Sequence, residues 1–162
     1  MFPRNTLKGP HLPKAILVTL VIIVGCKSEP TCPPGTTQMG EGPPNGSELW
    51  CEKMVDGKAL KEGPFTLFFP GGGKMLEGTY KDGKQDGDWT SWYDTGQRSA
   101  VDHYESGVQQ GKHIGWYPNG TKSAEGQYLD GLKTGKWKRW DQSGLRNWEE
   151  IYKDGKRLSS SS

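Results

Sequence analysis

A spacing of 24 residues runs through the middle of the chain and sets what it can fold into. Tyr80, Tyr104, Tyr128 and Tyr152 hold it, as do Gly83, Gly107, Gly131 and Gly155. So do Gly87, Gly111 and Gly135, then Trp92, Trp116 and Trp140, then Gly96, Gly120 and Gly144. Five positions keeping one period without an insertion mark a stack of like units, each resting on its neighbours.

Each unit reads roughly Tyr-x-Asp-Gly-x-x-x-Gly-x-Trp-x-x-Trp-Tyr-x-x-Gly-x-basic. That is too short for a helical hairpin, and it is punctuated by glycine, so strands joined by tight turns fit it. An earlier unit keeps the order Asp56-Gly57, Gly63, Phe65, Phe68 and Gly72 with two extra residues in its first loop, which makes about four units and a final half. One turn follows the aromatic strand, as at Tyr93 to Gln97 and Tyr117 to Thr121, with glycine in the left-handed position. A second turn falls at Asp82-Gly83 and its equivalents, giving an all-β, open antiparallel meander of hairpins.

If the strand from Gln97 to Tyr104 is unbroken, Tyr93 pairs with Gln97, Trp92 with Arg98, Thr90 with Ala100 and Trp89 with Val101. Alternation then groups Trp92, Arg98, Ala100 and Tyr104 on one side. Their rows keep their character: Phe68, Trp92, Trp116, Trp140; Leu76, Ala100, Ala124, Trp148; and the four tyrosines. This side is expected to be the packed one. Each row aromatic has a basic register partner, Lys74 for Phe68, Arg98 for Trp92, Lys122 for Trp116 and Arg146 for Trp140, which points to cation–π pairs within each hairpin.

The other side varies between units, as a solvated or ligand-facing surface does. Trp89, Tyr93, His113, Tyr117 and Trp137 form the expected binding strip there, rimmed by Glu77, Glu125 and Glu149 with Val101 in the same row. The competing reading is that these rings only shield a thin sheet. With 31% hydrophobic residues and no helical stretch to cover the sheet, stability must come from rings stacked on rings. The last half-unit, Glu149 to Lys156, is expected to form a charged edge strand.

Residues 1–25 begin with Arg4, Lys8 and Lys14 and continue into an apolar run, Ala15 to Val24, too short to span a bilayer. The sequence Ile23-Val24-Gly25-Cys26 resembles the lipobox of bacterial lipoproteins, which implies cleavage before Cys26 and a lipid anchor on it. An ordinary secretory peptide or an uncleaved anchor is the alternative. By the same resemblance, Lys27 rather than Asp after the cysteine favours the outer membrane. Removing three basic residues turns 21 Lys+Arg against 19 Asp+Glu into 18 against 19, a net charge of about −1. No basic surface argues for nucleic acid, and no nucleic-acid motif is present.

Residues 26–47 hold Pro30, Pro33, Pro34, Pro43 and Pro44 and read as a disordered tether. Cys32 and Cys51 form a disulfide in an oxidising envelope or remain two free thiols; both readings stay open. With no histidine nearby they make no metal site. Residues 157–162, ending in serines, read as a disordered tail.

Over residues 48–156, about two-thirds of the chain, the units resemble MORN-type repeats, closest to the bacterial variant labelled antitoxin-like. The matching pieces are Tyr80-Lys81-Asp82-Gly83, Gly87-Asp88-Trp89, Trp92-Tyr93 and Gly96, with equivalents in the next two units. The unit is one residue longer than is usual for that family, and Trp-x-x-Trp-Tyr replaces a more glycine-rich strand. The resemblance implies a scaffold for protein or membrane contact and, through the label, a toxin partner.

Catalysis finds little footing. His11 belongs to the leader, His103 sits beside Tyr104, and His113 takes a tryptophan's place, so no nucleophile–base set can be nominated. Gly71 to Gly73 before Lys74 lacks phosphate-loop spacing. The expected role is therefore a non-enzymatic lipoprotein without cofactor or metal, holding an unknown envelope protein, with glycan binding through Trp89 and Trp137 as the alternative.

Overall fold

The computed structural model describes residues 31–161, leaving aside the side chains of residues 146 and 147. Cys26 and the expected leader lie outside the described residues. Eleven strands follow one another: β1 (Thr37–Glu41), β2 (Glu48–Val55), β3 (Lys58–Phe68), β4 (Lys74–Lys81), β5 (Lys84–Trp92) and β6 (Arg98–Glu105). Then come β7 (Val108–Trp116), β8 (Lys122–Leu129), β9 (Leu132–Trp140), β10 (Arg146–Lys153) and β11 (Lys156–Ser161). They form one open sheet whose spatial order is the chain order, and every described pairing is antiparallel.

Two kinds of turn alternate and set this topology. At Asp82-Gly83 both residues have positive φ, 51° and 77°, and Lys81 pairs with Lys84 across them, a two-residue turn whose twist suits a hairpin. The Gly83 amide also donates to the Lys61 carbonyl at 2.9 Å, and its equivalents at Gly107, Gly131 and Gly155 do the same one unit on, so successive turns are laced along one margin. On the other margin the Tyr93 amide donates to the Gln97 carbonyl at 2.8 Å around a three-residue loop.

That loop is followed by an extra residue, and it overturns the expected division of faces. Trp92 does pair with Arg98, but Ser91 pairs with Ala100, Thr90 with Val101 and Trp89 with Asp102, leaving Ser99 as a bulge. A slip of one residue sends every later side chain to the opposite side. Trp89 therefore shares a face with Ala100 and Tyr104, whereas Trp92 does not. The same shift recurs between Leu67 and Phe68 and between Gly115 and Trp116, so the exchange holds in each unit.

One side, the ring face, carries the core. Tyr80 stands edge-on to Phe65 and Trp89, with ring centroids 5.5 and 5.1 Å apart, and Trp89 meets Tyr104 at 6.3 Å. Two units on, Tyr128 stands edge-on to His113 and Trp137 at 6.0 and 5.1 Å, and Trp137 meets Tyr152 at 6.2 Å. Trp89 and Trp137 are only 3% and 2% exposed, although no second layer among the described residues covers them. They reach that burial by lying flat on backbone: a Cβ on Gly78 would come within 2.3 Å of the Trp89 ring, and one on Gly126 within 2.2 Å of Trp137. Edge-to-face ring pairs contribute about 0.5–1.5 kcal/mol each beyond the area they bury.

Both ends of the described residues, 31–47 and 157–161, are more ordered than their composition suggests. The prolines of the expected tether fall on either side of Thr37–Glu41, and this proline-free segment pairs as β1 with β2. Cys32 and Cys51 are joined by a disulfide with Cα atoms 5.6 Å apart, and Pro33 sits against Gly63. Closing that loop is worth about 3 kcal/mol in the chain-entropy picture. The serine tail pairs as β11 with β10, where Arg157 Nη1 meets the buried Glu150 at 3.0 Å. The edge strand is thus β11 rather than the half-unit before it.

Candidate functional site

The exchange of faces changes what each expected binding residue can do. Trp89 and Trp137 are core. His113, stacked on Trp137 at 5.4 Å, turns its Nδ1 to Asp102 Oδ1 at 2.6 Å, and Gln109 Nε2 donates to the same oxygen at 2.6 Å. Tyr93 and Tyr117 serve as inter-unit ties, their hydroxyls donating to the Trp116 and Trp140 carbonyls at 2.8 and 2.9 Å. The five residues therefore form no exposed strip. Burial, which disfavours the charged phenolate, raises the pKa of Tyr80, Tyr104 and Tyr128 above the ordinary tyrosine value.

The ring face contains an internal compensation. In the slot beneath each ring stand Gly78 under Trp89 and Gly126 under Trp137, but Asp102 beside His113. A tryptophan leaves no room for a side chain there; an imidazole leaves room and supplies a hydrogen-bond partner. Beyond Tyr152 the next slot holds Glu150, 7% exposed at its side chain, bound by Arg157 and approached by Arg139 Nε at 3.5 Å.

The opposite side, the open face, holds the Trp92, Trp116 and Trp140 row. Their register partners are as expected, but each cation reaches forward to the next unit's ring: Lys74 lies 5.8 Å from Trp92, Arg98 5.1 Å from Trp116 and Lys122 5.3 Å from Trp140. These pairs therefore tie units together rather than closing single hairpins.

Beside that ladder, two of the open-face grooves formed by described residues are built in the same way. One, about 370 Å³, is lined by Lys112, Glu125, Gly126, Gln127, Lys136 and Lys138. The other, about 270 Å³, is lined by Pro64, Thr66, Glu77, Gly78, Thr79, Asp88 and Thr90 with part of Phe65. Every residue of the first stands 48 positions, two periods, after a residue of the second. Glu and Gly recur at two of these positions, while Pro64 becomes Lys112, Asp88 becomes Lys136 and Thr90 becomes Lys138. One backbone groove thus has an acidic and a basic form.

In the basic groove Glu125 accepts from Lys122 Nζ at 2.7 Å and Lys112 Nζ at 3.2 Å. The Lys122 hydrogen bond, aided by Lys112, holds its carboxyl below the usual glutamate range against the effect of burial. Lys136 meets Glu149 at 3.0 Å. Lys138, the register partner of both Glu125 and Glu149, makes no ion pair among the described residues. In the acidic groove Glu77 takes the Lys74 ammonium, and Asp88 takes His103 Nδ1 at 2.7 Å.

Between the grooves lies the intervening unit, where Val101 occupies the Glu77 and Glu125 position and pairs with Ile114. Asp102 fills the glycine slot there. Sequence reading placed Val101 in a mostly acidic row but missed Asp88, Lys112, Lys136 and Lys138, which come together only once the register is fixed. Among the described residues no three His, Cys, Asp or Glu side chains are placed to hold a metal ion. No family model matches the chain, and no curated protein matches it.

Proposed function

We propose that this chain is a lipid-anchored envelope scaffold of MORN-like repeats whose open face binds protein. One observation carries the reading: the two faces of one repeating backbone obey different rules. On the ring face aromatic character is kept from unit to unit, and the slot beneath adjusts to the ring above it. On the open face the row Pro64, Asp88, Lys112, Lys136 and the row Thr79, His103, Gln127, Ile151 share a backbone and no chemistry. Packing does not ask for that variety, whereas recognition of one particular surface does. The Cys32–Cys51 disulfide accords with an oxidising compartment and so supports export. Glycan stacking needs the Trp89 and Trp137 rings exposed, and both are buried.

The test uses the full chain, anchored in its own envelope, with a photo-crosslinking residue introduced at Thr90, at Lys138 or at Gln109. Adducts to a discrete protein from positions 90 and 138, with none from position 109 on the ring face, are the expected outcome. No adduct from the open face, or equal adducts from both faces, overturns the reading.

A further inference from the structure

The open face is laid out as a surface that fits itself. Resting on the protein-binding reading above, we infer that the protein it binds is a second copy of this chain, related by a two-fold axis running along β6 beside Val101.

Strand order places the two grooves symmetrically. The acidic groove is built on β3, β4 and β5, the basic groove on β7, β8 and β9, and β6 lies midway between them. A two-fold axis parallel to β6 exchanges β5 with β7 and β4 with β8, so the acidic groove of each copy meets the basic groove of the other. That operation also carries a twisted sheet onto one of the same twist, and the two surfaces stay about 10 Å apart across the contact, as in aligned sheet packing.

The residues fall into place under this operation. Asp88 and Lys112 are equivalent positions on β5 and β7, so Asp88 of each copy faces Lys112 of the other. Lys138 comes down over Thr66, whose register neighbour is Glu77, one strand spacing of about 4.8 Å away. Among the described residues Lys138 is also the lysine of the basic groove that makes no ion pair in its own copy. The axis sets Glu77 opposite Glu125, and each is already neutralised at home, by Lys74 and by Lys122 with Lys112.

At the axis itself, where a residue meets its own copy, a carboxylate would face its like. There the row Glu77, Glu125, Glu149 is broken by Val101, flanked by Ile114, with half-buried Trp92 and Trp116 placed symmetrically on either side. Arg98 and His103, on the same face of β6 to either side of Val101, are each engaged within their own copy, Arg98 over Trp116 and His103 with Asp88. The apolar centre at Val101 with its acidic and basic flanks gives an isologous interface its attraction and its register.

The experiment is sedimentation of the full-length lipidated chain in mild detergent, as parent and as two double variants. Lys112→Asp with Lys138→Glu makes both grooves acidic; Asp88→Lys with Glu77→Lys makes both basic. The parent is expected to be a dimer that weakens at least about tenfold between low and high salt. Each variant alone is expected to be monomeric at concentrations where the parent is dimeric, and the two mixed to form a dimer with each other. A misfolded variant could not recover on mixing. A monomeric parent, a variant that dimerises like the parent, or a mixture that stays monomeric overturns the inference. A monomeric parent that still gives adducts to a different protein from positions 90 and 138 leaves the scaffold reading standing, and no adduct removes both.

Discussion

Trp137 and Lys138 are neighbours on β9 and differ in almost everything the fold demands of them. Trp137 is 2% exposed, lies on Gly126, and belongs to a series of rings running Phe65, Trp89, His113, Trp137. Lys138 belongs to the series Thr66, Thr90, Ile114, Lys138, which has no common size, charge or polarity. In a sheet with no second layer among the described residues, the ring face makes most of the core. Away from the first strands, where Leu49 and Thr66 are buried on the opposite side, the open face is released from packing. The division also explains how the chain folds with few apolar residues: flat rings laid on bare glycine backbone become buried without a second layer of side chains.

The largest effects should separate the two faces. Trp137→Ala is expected to cost about 3–5 kcal/mol in urea unfolding, the usual range for emptying a large aromatic site. Gly126→Ala should also melt well below the parent, because its Cβ would come within 2.2 Å of the Trp137 indole, a buried rigid ring with no room to swing aside. Lys138→Ala, one residue away, should change stability by no more than about 0.5 kcal/mol. Comparable losses at 137 and 138 would erase the distinction between faces.

The next comparison lies within the ring face. His113→Trp places an indole where Asp102 already occupies the slot, and overpacking of that kind costs about 1–3 kcal/mol. Adding Asp102→Gly gives that unit the arrangement of the Trp89 and Trp137 units. The double variant should recover the parent's stability, and the two changes should be strongly non-additive by thermal melts. If Asp102→Gly fails to rescue His113→Trp, the slot does not constrain the ring above it.

These couplings mark where sequence reading stopped. The period, the strands and both turn types are local, so Asp82-Gly83 and Tyr93 to Gln97 could be read directly from the residues. The faces could not, because Ser99 is a single inserted residue whose side chain gives no sign that it is a bulge. A sign did exist elsewhere: Gly78 with Trp89, Gly126 with Trp137 and Asp102 with His113 change together, as only residues in contact must. The grooves were hidden for the same reason, since Asp88, Glu77 and Thr66 become neighbours only through the register of three strands. At the ends, Ser159 to Ser161 have no hydrophobic signal, and they pair because β10 offers open backbone partners and Glu150 a partner for Arg157.

The smallest effect sets two glutamates against each other. Burial opposes the charge of Glu150, yet Arg157, the Tyr152 hydroxyl and Arg139 outweigh it and hold its carboxyl below the usual range. Glu125 on the open face is shifted the same way by Lys122 and Lys112, but its side chain is 31% exposed against 7% for Glu150. A carboxyl with a lowered folded pKa stabilises the fold fully above its unfolded pKa and loses that contribution as pH falls through the folded one. Glu150→Gln should therefore be less stable than the parent at neutral pH, and the gap should close as the solution is acidified below the usual carboxylate range. Glu125→Gln should show the same sign with a smaller gap, one that shrinks further in high salt because exposed pairs are screened. Urea unfolding at neutral and acid pH, with and without salt, checks both. A larger or salt-insensitive gap at Glu125 would mean that the open face contributes to the core after all.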